Sequence, residues 1–269
     1  MGKLSNKIIH GSCELSDGII KDNSIDMFFC DPPYFITNKD WDRQWSNLDE
    51  YLIWSRMWVE LMYKKLKSNG SAYICISWEH SGHIQNILME SGFHVKNRIT
   101  WKRDKGRGSK SNWKNMHEDI WFVVKDKNDY VFNIDDVKIE KKVIAPYKDK
   151  NGNPKDWWEN SNGERLRLTY PGNLWDEYCV PYWSMHEVRS YAKSKREPQN
   201  KFQKHPTQKP KGLVKRCIMA SSNEGDLVVD FFGGSGTTAV SCKETNRDFL
   251  LFEMCDEYVN IINERLLRE

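Results

Sequence analysis

The chain has 269 residues, a net charge of only +3 and 39% hydrophobic residues, enough to bury the core of one large domain or of a domain carrying an insertion. No apolar run approaches the length of a membrane span, and the opening MGKLSNKIIHGS lacks the apolar stretch of a signal peptide, so a soluble cytoplasmic protein is expected. The seven cysteines contain no CxxC pair and mostly sit in apolar runs such as FFC and YICIS, which fits buried reduced thiols rather than metal ligands or a disulfide framework.

In chain order, KIIHGS reads as a short strand and IDMFFC (25–30) as a buried one. Directly after it, Asp31-Pro32-Pro33-Tyr34 places an acid beside an aromatic ring on a backbone stiffened by two fixed proline torsions. Phe35 and Trp41 are candidates for the same pocket or for ordinary core, and Asp40 and Asp42, on the following loop, suit a surface role and a catalytic one equally. LDEYLIWSRMWVELMYKKLKSNG carries apolar residues at 52, 54, 58, 61, 62 and 66, which predicts a helix stopped by Asn69-Gly70. SAYICIS (strand), HSGHIQNILMESG (helix), FHVKNRITW (strand) and DIWFVVKD (strand) follow. Such alternation predicts an α/β, mostly parallel sheet covered by helices.

The charge becomes informative once located. Residues 102–117 hold six Lys/Arg against one Asp, and residues 189–216 ten against one Glu. Such stretches attract a polyanion, and the tryptophans and tyrosines among them suit stacking as well as phosphate contact; a solvated surface is the plainer alternative. Arg103, Lys105, Arg107, Lys110 and Lys114 follow a strand end on a glycine-containing loop and are the candidates for phosphate contact. Between 133 and 200 periodicity fades, which predicts an inserted, partly irregular region. Within it Trp157, Trp158, Arg165 and Arg167 suit base or backbone contact and local packing equally. His117-Glu118, ahead of a strand, reads as structural.

Regular structure returns with KGLVKRCIMASSNEG (helix), DLVVDFF (strand), GSGTTAVSCKETN (turn into helix), RDFLLFE (strand) and CDEYVNIINERLL (helix). The turn after Asp230, with Phe232, Gly234, Ser235, Gly236, Thr237 and Thr238, lets a backbone approach a ligand and sets a helix N-terminus behind it. No Lys-Ser/Thr follows the last glycine, so it is no P-loop, and its glycine spacing is not that of the dinucleotide fingerprint. Glu253 ends the next strand, where an acid can accept hydrogen bonds from a ribose; it could also be an N-terminal charge of the last helix. Turn and acid together point to a nucleoside-bearing ligand.

With these motifs located, the chain resembles the β-class DNA amino-methyltransferases, S-adenosylmethionine-dependent enzymes of restriction-modification systems. The resemblance rests on the order Asp31-Pro32-Pro33-Tyr34, then Lys204-His205-Pro206-Thr207-Gln208-Lys209-Pro210, then Phe232-Gly233-Gly234-Ser235-Gly236, with FEMCDEYVNIINERL closing the chain. It covers roughly 7–125 and 200–269. Two positions depart from the family pattern: Phe231 stands where Pro is common, and Gly11-Ser12-Cys13 where Gly-Asp is common.

The resemblance implies a Rossmann-like class I methyltransferase sheet in three parts: a catalytic half (1–101), an inserted target-recognition region (102–200) and a cofactor-binding half (201–269). It implies methyl transfer to adenine N6 of a flipped-out base, with cytosine N4 as the alternative. Asp31 and a carbonyl of the Pro32-Pro33 turn would accept the amine hydrogens, and Tyr34 would stack on the base. S-adenosylmethionine would lie against Ser12, Cys13, Asp31, His205, Thr207, Lys209, Asp230 and the glycine turn, with Glu253 on its ribose. DNA is the implied partner, with a homodimer and a cognate restriction endonuclease admitted and no metal required. Protein or amide methylation is disfavoured by motif order, and a catalytically silent DNA-binding protein by the presence of both motifs.

Overall fold

The computed structural model describes residues 4–37, 39–103, 110–144, 146–176 and 208–268. Among these, β1 (Lys7–His10) leads through a 3-10 turn and the short helix α1 (Ser16–Ile19) to β2 (Ile25–Cys30). Next come α2 (Leu48–Lys65), β3 (Leu66–Ile76), α3 (Ser81–Glu90), β4 (His94–Lys102) and β5 (His117–Val124). Four short strands follow: β6 (Ile139–Lys142), β7 (Trp158–Glu159), β8 (Arg165–Thr169) and β9 (Leu174–Trp175). The chain then forms α4 (Lys211–Ser221), β10 (Leu227–Asp230), α5 (Thr237–Glu244), β11 (Asp248–Glu253) and α6 (Asp256–Arg268). No helix among the described residues is long and apolar enough to cross a membrane.

Eight strands make one sheet in the order β1-β11-β10-β2-β3-β5-β4-β9. From β1 to β3 all neighbours are parallel. β5 runs antiparallel to both β3 and β4, and β9 joins β4 in parallel. The mostly parallel sheet expected from the strand–helix alternation is therefore present.

The period of two in a strand divides each apolar run between two cores. Phe28, Cys30, Ala72, Ile74, Ile76, Trp121 and Val123 face one side, packed with Trp58, Val59 and Met62 of α2 and Ile84 and Leu88 of α3. Their sequence neighbours Met27, Phe29, Tyr73, Cys75, Ile120 and Phe122 face the other, packed with Leu213 and Val214 of α4, Ala239 of α5 and Ile262 of α6. Both faces are thus covered, as near-continuous apolar strands require.

α2 starts where a cap says it should. Asn47 accepts the Glu50 N–H at 3.0 Å, and Glu50 in turn accepts the Ser46 N–H at 2.9 Å. Its end differs from the expected stop at Asn69-Gly70. The helix closes at Lys65, and the strand begins at the next residue. The fully buried Lys65 ammonium binds Asp17 at 3.0 Å and Asp22 at 2.7 Å, while Lys125 donates to the carbonyls of Tyr63 and Leu66 at 2.7 and 2.8 Å. These contacts, not the glycine, terminate the helix. Gly70 instead lets β3 approach β2: a Cβ there would lie 2.9 Å from the Asp26 carbonyl oxygen.

The stretch 139–169, expected to be irregular, is more regular than its sequence suggests, since β6, β8 and β7 form a three-stranded antiparallel sheet. Its strands are short and largely exposed, Leu168 to 52%, so no apolar run marked them. Of the expected buried thiols, Cys13, Cys30, Cys75, Cys217 and Cys242 are buried, whereas Cys255 is exposed.

Candidate active site

β2 and β10 are parallel neighbours at mid-sheet, Met27 opposite Val228 and Phe28 opposite Val229. From this pair the chain winds outward in opposite directions, through β3 on one side and β11 on the other. Their C-terminal ends therefore flank the crevice in which open α/β sheets take ligands. A cavity of about 350 Å³ lies there, within the range of small-molecule sites.

Both sequence motifs open into it. Asp31, Pro32, Pro33 and Tyr34 line it from the end of β2, and Asp230, Phe232, Gly234, Ser235, Thr237 and Thr238 from the end of β10 and the start of α5. Ser12, Cys13, Glu253 and Lys209 complete the candidates that it brings together. Gly236 is not among the lining residues. Its φ of +79° is left-handed, and a Cβ there would meet Ile262 of α6 at 2.8 Å, so its missing side chain serves the turn and the seating of α6. His205, Thr207, Lys105 and Arg107 lie outside the described residues.

The charges in the cavity are arranged in two groups. At the glycine turn, Asp230 accepts the Phe232 N–H at 2.9 Å and the Thr238 hydroxyl at 2.6 Å. Burial pushes its carboxyl up to about 7, with the Asp31 and Glu253 charges adding to the rise against those two bonds. Glu253 accepts the N–H groups of Gly234 at 2.7 Å and Cys255 at 2.8 Å, and burial raises its pKa as well.

At the proline bend, Asp31 accepts the Tyr34 hydroxyl at 2.6 Å and the Lys209 ammonium at 2.5 Å. Burial raises the Asp31 pKa in opposition to Lys209 and Tyr34. Burial also works against the Lys209 charge, but the Asp31 and Glu118 carboxylates outweigh it and its pKa is raised. Lys209, expected along the cofactor, is bonded to the acid of the proline bend. Tyr34, expected as a stacking face, also has its hydroxyl engaged.

Several placements correct the sequence reading. Arg103 does not point outward toward a phosphate: it is paired with Glu118 and stacked 4.5 Å from the Trp101 ring centroid, its side chain only 16% exposed. Trp101 and Arg103 are two residues apart and so share a face, which turns the guanidinium into the cavity. Glu118, read as merely structural, is buried and lines the cavity. Phe35 packs against Tyr51 at 5.5 Å and is not a lining residue, whereas Trp41 is. Lys110 and Lys114 are exposed. Trp157 stacks with Arg165, centroid to guanidinium carbon 5.4 Å, within the small sheet.

Two supports of the bend had no sequence signal. Asp42 accepts four consecutive backbone N–H groups, from Tyr34 to Thr37, and the Tyr51 hydroxyl donates to the Pro33 carbonyl at 3.1 Å. An acid in a polar loop is ordinarily solvated, so only geometry exposes the role of Asp42. Glu118 had a faint signal: it alternates with Ile120 and Phe122 and so faces their side of the sheet.

Comparison with known proteins agrees with this geometry. A family model described as DNA methylase matches residues 25–264. The type II methyltransferase M.HpaI of Haemophilus parainfluenzae is 33% identical over 92% of this chain and 69% of its own. The DNA adenine methyltransferase YhdJ of Escherichia coli K12 is 32% identical over 98% and 84%. Among solved structures, the M1.HpyAVI–SAM complex aligns with a TM-score of 0.58 and 23% identity over 97% of this chain and 98% of that one.

Proposed function

The chain belongs to the DNA methylase family, and from that premise we propose that it transfers a methyl group from S-adenosylmethionine to the N6 amine of an adenine flipped out of DNA. The observation that carries this reading is the shared cavity: the acidic proline bend and the glycine turn, almost two hundred residues apart in sequence, open into one space. When bound, S-adenosylmethionine supplies an electrophilic methyl on a sulfonium. The residues present suit it. Glu253 stands at the tip of the strand beside β10, where a ribose is held. Asp230 and Glu253 favour a cationic ligand, and the α5 N-terminus and the Ser235 and Thr237 hydroxyls suit its carboxylate.

An exocyclic amine is a weak nucleophile because its lone pair is delocalised into the ring. Asp31 accepts one N–H and so stabilises charge growing on the nitrogen. A carbonyl of the Pro32-Pro33 turn, where the Tyr51 hydroxyl already holds the Pro33 oxygen in place, accepts the second. Rigid placement of these acceptors supplies much of the remaining rate. Residues 102–200 form the DNA-reading region, with Lys110 and Lys114 on phosphates. Relatives named type II methyltransferases support a cognate restriction endonuclease as a companion; sedimentation of the purified chain decides between monomer and homodimer.

Adenine is favoured over cytosine by the Asp-led motif and by the name of the E. coli relative. Nucleoside mass spectrometry of DNA treated with the chain should show N6-methyladenine, and finding only N4-methylcytosine would overturn the choice of base. Asp31→Ala should abolish transfer while cofactor affinity, read by calorimetry, changes only a few-fold. Substantial residual transfer would refute the role given to the bend.

A further inference from the structure

Methyl transfer to an amine displaces a proton, and the acceptors described above do not say where it goes. Asp31 cannot pass it to Lys209, whose ammonium is already fully protonated, and Pro32 and Pro33 have no N–H through which to relay it. Among the described residues, the other side chain bonded to Asp31 is Tyr34. Its hydroxyl lies 2.6 Å from Asp31 Oδ1 and 3.4 Å from Glu118 Oε2. Glu118 is 6% exposed, is paired with Arg103 and stands 3.8 Å from the Lys209 ammonium.

Tyr34 therefore sits between the half-buried Asp31 and the buried Glu118 carboxylates with a single hydrogen to offer. A hydroxyl hydrogen rotates toward whichever acceptor is bare. While Asp31 is ionised, the short contact goes to Asp31. Once Asp31 gains a proton it becomes a donor to the Tyr34 oxygen, and the Tyr34 hydrogen is free to turn to Glu118.

Resting on the methyl-transfer reading above, we propose that Glu118 is the terminal acceptor of the proton displaced from the target amine, reached from Asp31 through the Tyr34 hydroxyl. The nitrogen lone pair forms the new N–C bond and the C–S bonding pair leaves on sulfur. The surplus N–H proton passes to Asp31, the Asp31 proton to the Tyr34 oxygen, and the Tyr34 hydrogen to Glu118. Asp31 and Tyr34 end as they began, and Glu118 carries one proton, which solvent takes when the cavity opens to release product. Arg103 and the Lys209 ammonium both stand against Glu118 and hold it beside the Tyr34 hydroxyl. Burial and the neighbouring carboxylates hold the Tyr34 pKa well above its ordinary value, so the hydroxyl conducts a proton without ionising.

The test uses the full chain, S-adenosylmethionine and a DNA duplex containing a methylatable site, under single-turnover conditions. Glu118→Gln, which keeps shape but cannot take the proton, should slow transfer by about 10²-fold, in the range of general-base effects, with cofactor affinity within about twofold of wild type. Tyr34→Phe should show a similar loss, and the double variant should be no slower than Tyr34→Phe, because steps in series do not add. Formate should restore part of the rate of Glu118→Ala, whereas chloride, which supplies charge without basicity, should not. A Glu118→Gln rate within threefold of wild type, losses that multiply in the double variant, or equal rescue by chloride would each overturn the relay. A wild-type chain that methylates no DNA would overturn the underlying reading, and the relay with it.

Discussion

Asp42 is fully buried and spends both carboxylate oxygens on the backbone: Oδ1 accepts from Tyr34 and Phe35 at 2.6 and 2.7 Å, and Oδ2 from Ile36 and Thr37 at 3.0 and 2.5 Å. Phe35, in this wrapped segment, has a φ of +57°, a conformation that costs a non-glycine residue about 1–3 kcal/mol and persists only where the surroundings impose it. The carboxylate imposes it here, and with it the position of Tyr34. Asp42→Ala removes the acceptor for four N–H groups and should destabilise the fold by roughly 3–5 kcal/mol, read by urea denaturation. Asp42→Asn should fare little better, because its amide nitrogen must face two N–H donors. Wild-type stability and transfer rate in the Asp42→Asn chain would refute the role. At this scale the sequence was legible for the acid, prolines and tyrosine of the bend, whose order is distinctive. It was silent on Asp42, since a carboxylate that collects backbone donors leaves no side-chain pattern.

Among the elements, the helix and strand runs were readable because their apolar residues follow one period throughout, as in IDMFFC and SAYICIS. Where two causes compete, the reading failed. Asn69-Gly70 carries the composition of a helix stop, yet the buried Lys65 and the carbonyl-capping Lys125 act sooner, and the glycine serves strand contact. The same distinction governs the glycine turn. Gly236 was legible as a special position, but not that Ile262 of α6 packs where its side chain would be. Gly236→Ala must hold a left-handed φ and displace Ile262, which should cost about 1–3 kcal/mol. Pairing it with Ile262→Ala, which removes the two Cγ atoms that a Cβ at 236 would meet, tests the cause: if the contact matters, the smaller residue should recover part of the loss in a double-mutant cycle, and strictly additive losses would reject it.

For the molecule as a whole, winding outward from the β10–β2 pair lets distant parts of the chain meet at one crevice, and it also concentrates acids there. Asp31, Asp230 and Glu253 all line the cavity, and burial raises the pKa of each. Such a site trades stability for function, and the trade has a pH signature. Unfolded, Asp230 titrates at about 4; folded, it titrates at about 7. Between those values the native state holds a proton that the unfolded chain has released, so stability falls as pH rises. The contribution is fully present below about pH 4 and is lost progressively up to about pH 7. At about 1.4 kcal/mol per pH unit its upper bound is about 4 kcal/mol, and Asp31 and Glu253 act with the same sign. Asp230→Asn removes this component while keeping the bonds, since its oxygen can accept from Phe232 and Thr238 can turn to accept from its amide. The difference in unfolding free energy between variant and wild type should therefore grow in favour of the variant from about pH 4.5 to about pH 7.5 in urea titrations. A difference that is flat, or that shrinks with pH, would mean that Asp230 is ionised at little cost, and that the excess of buried acid does not make this crevice receptive to a cation.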